Sequence, residues 1–149
     1  MNHSAKSYMN RIRIGLSAGF ITVAITTVLN LATRALGVLP EAMDLKYMAE
    51  FMIDPLQRPA AALALGIVVH LIAGSVIGMA YALIVKSLTA LSGVLFMLPL
   101  WFGMMLVALP LTHRGLFGLS LGPSLAIATF ILHVVFGALI GTIAGKMKP

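Results

Sequence analysis

The sequence contains no cysteine and very little charge. Only 9% of its 149 residues are Asp, Glu, Lys or Arg, whereas 60% are hydrophobic. A soluble domain averages about 25% charged and about 45–50% apolar residues, so this chain cannot cover a soluble globular surface. The composition also excludes a disordered chain, and the lack of cysteine excludes disulfides, iron–sulfur clusters and thiolate zinc sites. What remains is a small membrane protein with a mean hydropathy of +1.06.

Four apolar runs are long enough to cross a bilayer as helices, since about 20 residues span the hydrocarbon core. They cover residues 14–39, 60–85, 91–111 and 123–144. We therefore predict an all-α polytopic membrane protein whose single transmembrane domain comprises residues 1–149. The first run is too long for a signal peptide and no clean cleavage site follows it, so we expect it to remain as a helix.

The few charged residues are distributed unevenly between the two sides of the predicted bundle. The side with both termini and the second loop has only bases: Lys6, Arg11, Arg13, Lys86, Lys146 and Lys148. The opposite side has four bases and four acids: Arg34, Lys46, Arg58, Arg114, Glu41, Asp44, Glu50 and Asp54. The excess of bases predicts cytoplasmic termini. The net charge of +6 is therefore attributed to topology and anionic lipid rather than to nucleic acid.

The loop between the first two spans carries an amphipathic pattern. Apolar residues recur at steps of three and four: Met43, Tyr47, Met48, Phe51 and Met52. Because Asp44, Lys46 and Glu50 lie opposite them, we predict a short helix in the membrane interface or over the end of the bundle. It is either a lid or docking helix or a connector that lies on lipid.

Small and polar residues form stripes on three of the helices. The first span has a polar stripe of Thr22, Thr26, Asn30 and Thr33, which continues Gly15 and Gly19 on the same face. The second has small residues and a histidine at every fourth position: Ala62, Gly66, His70, Gly74, Gly78 and Ala82. The fourth has Thr129, His133, Gly137, Gly141 and Gly145. Such faces let helices approach closely, so we expect packing there, including self-association or association with partner subunits.

The second and fourth spans align with each other at a fixed offset. Shifting the chain by 63 residues places His70 on His133, Gly74 on Gly137 and Gly78 on Gly141. This pattern indicates a duplicated two-helix unit. The third span has prolines at positions 99 and 110, and the first span has no prolines at matching positions. This difference argues against a duplication.

His70 and His133 are predicted to lie at equal depth, about 15 Å into the bilayer at about 1.5 Å per residue. An ionisable residue at that depth is a candidate functional site. Four roles are open for the pair. The two histidines form structural hydrogen bonds, or they ligate one haem b. Alternatively they bind copper together with a methionine of the third span, or they relay protons. Structural hydrogen bonding is the simplest of these readings, and haem is not favoured because glycine-rich faces bring helices together.

Five segments of the chain carry a resemblance to a family of proteins. They are residues 15–36, 43–45, 70–78, 115–118 and 133–141. In these segments the chain resembles an uncharacterised family of small bacterial inner-membrane proteins with four helices. The resemblance implies the architecture and the bacterial inner membrane, and it implies no catalytic residues.

The sequence shows no arrangement of residues typical of an enzyme. Its four carboxylates belong to one loop, and no serine has an adjacent base. We therefore expect a non-enzymatic accessory or interaction subunit. The alternatives are a haem or metal protein using His70 and His133, and an oligomeric transporter of small solutes or protons.

Overall fold

The chain folds into four long helices joined by short loops. The structure, a computed structural model, describes residues 3–38 and 43–147. The helices are α1 (His3–Ala35), α2 (Pro59–Ile84), α3 (Ala90–Leu111) and α4 (Pro123–Lys146). All four are long and apolar enough to cross a membrane, which confirms the predicted class. The predicted end of the first span at Leu39, and the charges of Glu41 and Lys148, lie outside the described residues.

Local sequence explains where the helices begin and how α3 bends. Pro59 and Pro123 occupy the first turns of α2 and α4, where the missing N–H of proline costs nothing. Thr89 begins α3 with a capping box formed with Ser92. Within α3, residues Met104–Ala108 form a π-helix just before Pro110. The wider turn relieves the clash that a proline ring makes with the preceding turn.

The helices pack as two antiparallel pairs, α1 with α2 and α3 with α4. In the first pair Gly19 lies against Gly74, and Gly15 against Gly78. In the second pair Gly93 lies against Gly137. The residue that faces Gly141 is Thr89, so the second pair repeats the contacts of the first. The connection between α1 and α2 is longer than that between α3 and α4, so equivalent residues of α1 and α3 lie at a different sequence offset from those of α2 and α4. A duplicated two-helix unit would produce this arrangement.

The segment between α1 and α2 differs from the predicted amphipathic helix. It forms a 3₁₀-helix of only five residues, Leu45–Ala49, capped by the Asp44 side chain. Asp44 and Lys46 are buried against the bundle, whereas Phe51 is 83% exposed. Gly66 of α2 lets the Leu45 carbonyl approach the α2 backbone, and this contact fixes the segment over the end of the bundle.

The N-terminal part of α1 extends beyond the predicted span and contacts the end of α2. Arg11 donates hydrogen bonds from Nε to the Ala82 carbonyl at 2.6 Å and from Nη2 to the Val85 carbonyl at 2.5 Å. A guanidinium at this position satisfies the free carbonyls of a helix C-terminus and complements its dipole. The charged beginning of α1 is therefore part of the fold.

Candidate functional site

A cavity of about 410 Å³ lies between the two helix pairs. All four helices and the loop segments that follow α1 and α3 contribute to its wall. Apolar side chains predominate, among them Leu132, Phe136 and Ile77. Both His70 and His133 line it, so the fold brings the histidines of the second and fourth apolar helices to one site. We call this space the histidine cavity.

His70 is held by a side chain of the neighbouring helix in its own pair. Its Nδ1 lies 3.0 Å from the hydroxyl oxygen of Thr27 on α1. Thr27 is 6% exposed. This contact fixes the orientation of the His70 imidazole ring across the α1–α2 contact.

His133 is held instead by its own helix. Its Nδ1 lies 2.8 Å from the carbonyl oxygen of Thr129, one turn earlier. In the part of the chain that the structure describes, Nε2 of neither histidine has a hydrogen-bond partner, and neither Nε2 is fully buried. Each ring is therefore anchored through one nitrogen and leaves the other accessible.

The polar stripe of α1 is divided between the cavity and the packing of α1. Thr26 and Asn30 line the cavity. Asn30 donates from Nδ2 to the Met43 carbonyl at 3.2 Å, which connects the stripe to the segment after α1. Thr22 is completely buried outside the cavity wall, and Thr33 donates to the Leu29 carbonyl at 2.7 Å.

Residues 43–50, which we call the flap, form the wall of the cavity at one end of the bundle. Two ion pairs tie the flap to the helices and loops around it. Asp44 lies 2.9 Å from Nε of Arg34, and Glu50 accepts a hydrogen bond from Nη2 of Arg114 at 2.5 Å. The Arg114 guanidinium also lies 5.5 Å from the centre of the Tyr47 ring. Arg114 is a cavity residue that sequence reasoning missed, because 64 residues separate it from Glu50.

The single tryptophan is adjacent to the cavity wall. Trp101 donates from Nε1 to the Thr129 hydroxyl at 3.2 Å, and Thr129 lines the cavity. The indole also contacts the rings of Phe102, Phe117 and Phe130. The fluorescence of Trp101 is therefore expected to respond to changes in this part of the cavity wall. The sequence does not indicate that position, because it depends on contacts between α3 and α4.

The predicted glycines lie at helix contacts within the chain. Gly74 packs against Val23, and a Cβ at Gly137 would lie 2.7 Å from the Gly93 carbonyl oxygen. Gly66 lies against Leu45, and Gly145 against Leu88. A Cβ on the glycine that follows each histidine would meet a neighbouring helix, Val23 for Gly74 and the Gly93 backbone for Gly137, so both glycines serve helix contacts.

Sulfur ligands are the remaining candidates for a metal site. Met97 and Met104 of α3 line the same cavity as both histidines, so methionines of the third span lie at the site where the copper alternative requires one. The described residues contain no cluster of three or more His, Asp or Glu that could hold a metal ion. A metal in this cavity would therefore depend on imidazole and thioether ligands, a set that suits Cu(I).

These features define the class of protein: a multi-pass helical membrane protein with an internal cavity lined by two histidines. Residues 9–149 match the family of unknown function DUF6789, and the chain belongs to that family. No curated protein and no solved structure matches the chain.

Proposed function

We propose that this protein is a non-enzymatic protein of the bacterial inner membrane that binds a small, largely apolar molecule in the histidine cavity. The observation that carries the proposal is that His70 and His133, from different helix pairs, line one apolar cavity with an accessible Nε2 each. Ligand sites in proteins are typically apolar cavities with a few convergent polar groups. An ionisable side chain inside a membrane is costly to bury, and such residues typically mark a functional site.

The carboxylate that lines the cavity, within the described residues, is held in ion pairs. Arg34 and Lys46 lie 2.9 Å and 4.0 Å from Asp44. Asp44 therefore helps to hold the flap in place over the cavity.

The proposed orientation places both termini in the cytoplasm. It is supported by the count of Lys and Arg residues, which is six on the side of the termini and four on the opposite side. An excess of Lys and Arg is expected on the cytoplasmic face.

The expected role as an accessory subunit has less support in the geometry. It depended on glycine faces that bind partners or second copies. Gly15, Gly19, Gly78 and Gly141 contact other helices of the same chain, so these faces are already used within one molecule.

A second candidate is Cu(I) binding by the two histidines with Met97 or Met104. It is favoured by His133, whose Nδ1 is held by a backbone carbonyl and whose Nε2 is left as a ligand. This is the usual arrangement of a metal-bound imidazole. Metal analysis and an optical spectrum of the purified protein test this candidate and the haem alternative together.

Native mass spectrometry of the protein released from its own membrane tests the main proposal. Ala73 lines the cavity, so Ala73→Phe fills it, while Ala64 of the same helix is exposed and does not line it. We expect a bound small molecule on the wild-type protein and on Ala64→Phe, and none on Ala73→Phe. A wild-type protein without any adduct, or an adduct retained equally by both variants, contradicts binding in the cavity.

A further inference from the structure

The hydrogen bonds of the two histidines determine which nitrogen of each ring carries its proton. Inside a largely apolar cavity both rings are neutral, because an unpaired imidazolium there is costly. A neutral imidazole has one N–H donor and one acceptor nitrogen. The partner of Nδ1 therefore decides the chemistry of Nε2.

For His133 the partner is a carbonyl oxygen, which can only accept. Because Nδ1 lies 2.8 Å from the Thr129 carbonyl, Nδ1 carries the proton and donates it. Nε2 of His133 is then unprotonated and presents a lone pair.

For His70 the partner is a hydroxyl group, and the hydroxyl proton decides the outcome. Thr27 is 6% exposed and has no hydrogen-bond partner other than His70 among the described residues. A buried hydroxyl that fails to donate loses a favourable interaction, so Thr27 donates to Nδ1 of His70. Nε2 of His70 then carries the proton and is a donor.

We infer that His70 and His133 are held as opposite tautomers, so that the cavity offers one N–H donor and one acceptor to neutral polar groups of a ligand. Such groups are a hydroxyl, a protonated carboxylic acid or an amide, carried on an otherwise apolar molecule. This inference rests on the proposed binding function. A carboxylate would need two donors, so it does not match the pair as it is held. Binding of Cu(I) by both rings, the second candidate above, would require His70 to adopt the other tautomer, with Nδ1 donating to Thr27.

Long-range ¹H–¹⁵N correlation spectra of the detergent-solubilised protein test the tautomers without any ligand. The double variant His3→Gln/His113→Gln leaves only the two cavity imidazoles, and His113 is exposed. We expect one ring protonated at Nδ1 and the other at Nε2. Two rings of the same tautomer overturn the inference whether or not the cavity binds anything.

Thr27→Val identifies the rings, because it removes the hydroxyl that donates to His70. We expect this variant to change the spectrum of the Nε2-protonated ring and to leave the other ring unchanged. Thr33→Val is the matched control, since the Thr33 hydroxyl bonds only to carbonyls of α1. A change confined to the Nδ1-protonated ring contradicts the assignment.

Three aromatic probes of similar size test the ligand class: 1-naphthol, 1-methoxynaphthalene and naphthalene. The hydroxyl of 1-naphthol can donate to the unprotonated Nε2 of His133, whereas the ether cannot donate. We expect 1-naphthol to bind the wild-type protein about tenfold more tightly than the ether, and His133→Leu to abolish this difference while retaining naphthalene. Equal binding of all three probes overturns the inference and leaves the proposed function in place. Failure of all three to bind counts against the proposed function itself.

Discussion

Gly93 of α3 lies so close to Gly137 of α4 that a Cβ on Gly137 would be 2.7 Å from the Gly93 carbonyl oxygen. Gly19 and Gly74 make the equivalent contact between α1 and α2. Two close contacts of this kind hold each helix pair together, and the histidine cavity lies where the pairs meet. The glycines therefore build the frame of the cavity.

Gly93→Ala is predicted to destabilise the protein by about 1–3 kcal/mol, the usual cost of an overpacked contact. Its Cβ would meet the backbone of Gly137, which cannot move aside. Gly103→Ala in the same helix is the control, because a Cβ there has open space, and it should be neutral or stabilising by up to about 1 kcal/mol. Unfolding in mixed detergent micelles measures both. Equal effects of the two substitutions would contradict the contact.

The ion pair between Glu50 and Arg114 is predicted to hold the flap over the cavity. Glu50→Gln removes the charge on Glu50 that Arg114 binds at 2.5 Å, so the cavity should open more often. Because the chain has no cysteine, a single Ala73→Cys reports access to the cavity. We expect a water-soluble maleimide to label it several-fold faster in the Glu50→Gln background.

The control for this experiment is Asp54→Asn, which removes one negative charge from the same segment between α1 and α2. In the part of the chain that the structure describes, Asp54 accepts from the backbone of Leu56 and Gln57, and an Asn side chain can still accept there. Labelling of Ala73→Cys should stay at the wild-type rate. An acceleration as large as that of Glu50→Gln would attribute the effect to net charge and not to the flap.

The proposed topology predicts which loops are accessible from outside the cell. Met52 and Ser87 are both exposed and lie at opposite ends of α2. In intact spheroplasts a membrane-impermeant maleimide should label Met52→Cys and spare Ser87→Cys, and permeabilisation should expose both. The reverse pattern would mean that the termini are not cytoplasmic.

Thr129→Val is predicted to cost about 1–3 kcal/mol, because it leaves the N–H of the nearly buried Trp101 without its acceptor. Trp101 is the only tryptophan, so its fluorescence emission should shift as well. Thr142→Val on the same helix is the control, since the Thr142 hydroxyl bonds only to its own helix at 2.7 Å. It should change neither quantity. An unchanged emission spectrum in Thr129→Val would show that the indole bonds elsewhere.

The sequence predicts the four helices well and their contacts poorly, for physical reasons. Apolar length alone identifies a spanning helix, so the four runs could be recognised. Spacing at every fourth residue shows that Gly74 and Gly137 face a close neighbour, but it does not say that the neighbour belongs to the same chain. Likewise, counting residues predicts the depth of His70 in the bilayer. The hydrogen bond of His70 to Thr27, 43 residues earlier, depends on how α1 packs against α2.

The flap shows a second limit of sequence reasoning. The apolar periodicity around Met48 and Met52 indicated a helix, but the segment forms one 3₁₀ turn with Asp44 and Lys46 buried. The ion pair of Asp44 with Arg34 and the close packing of Leu45 on Gly66 hold the segment in this shape. Both depend on residues far along the chain, which local periodicity does not include.

The central claim is that a small molecule occupies the cavity between the two helix pairs. The most direct test is an experimental structure of the protein with 4-bromo-1-naphthol, in which anomalous scattering locates the bromine. The account predicts a bromine peak inside the bundle, with the probe hydroxyl in hydrogen-bond contact with Nε2 of His133. Bromine found only on the lipid-facing surface, with other side chains filling the space between the two histidines, would contradict it.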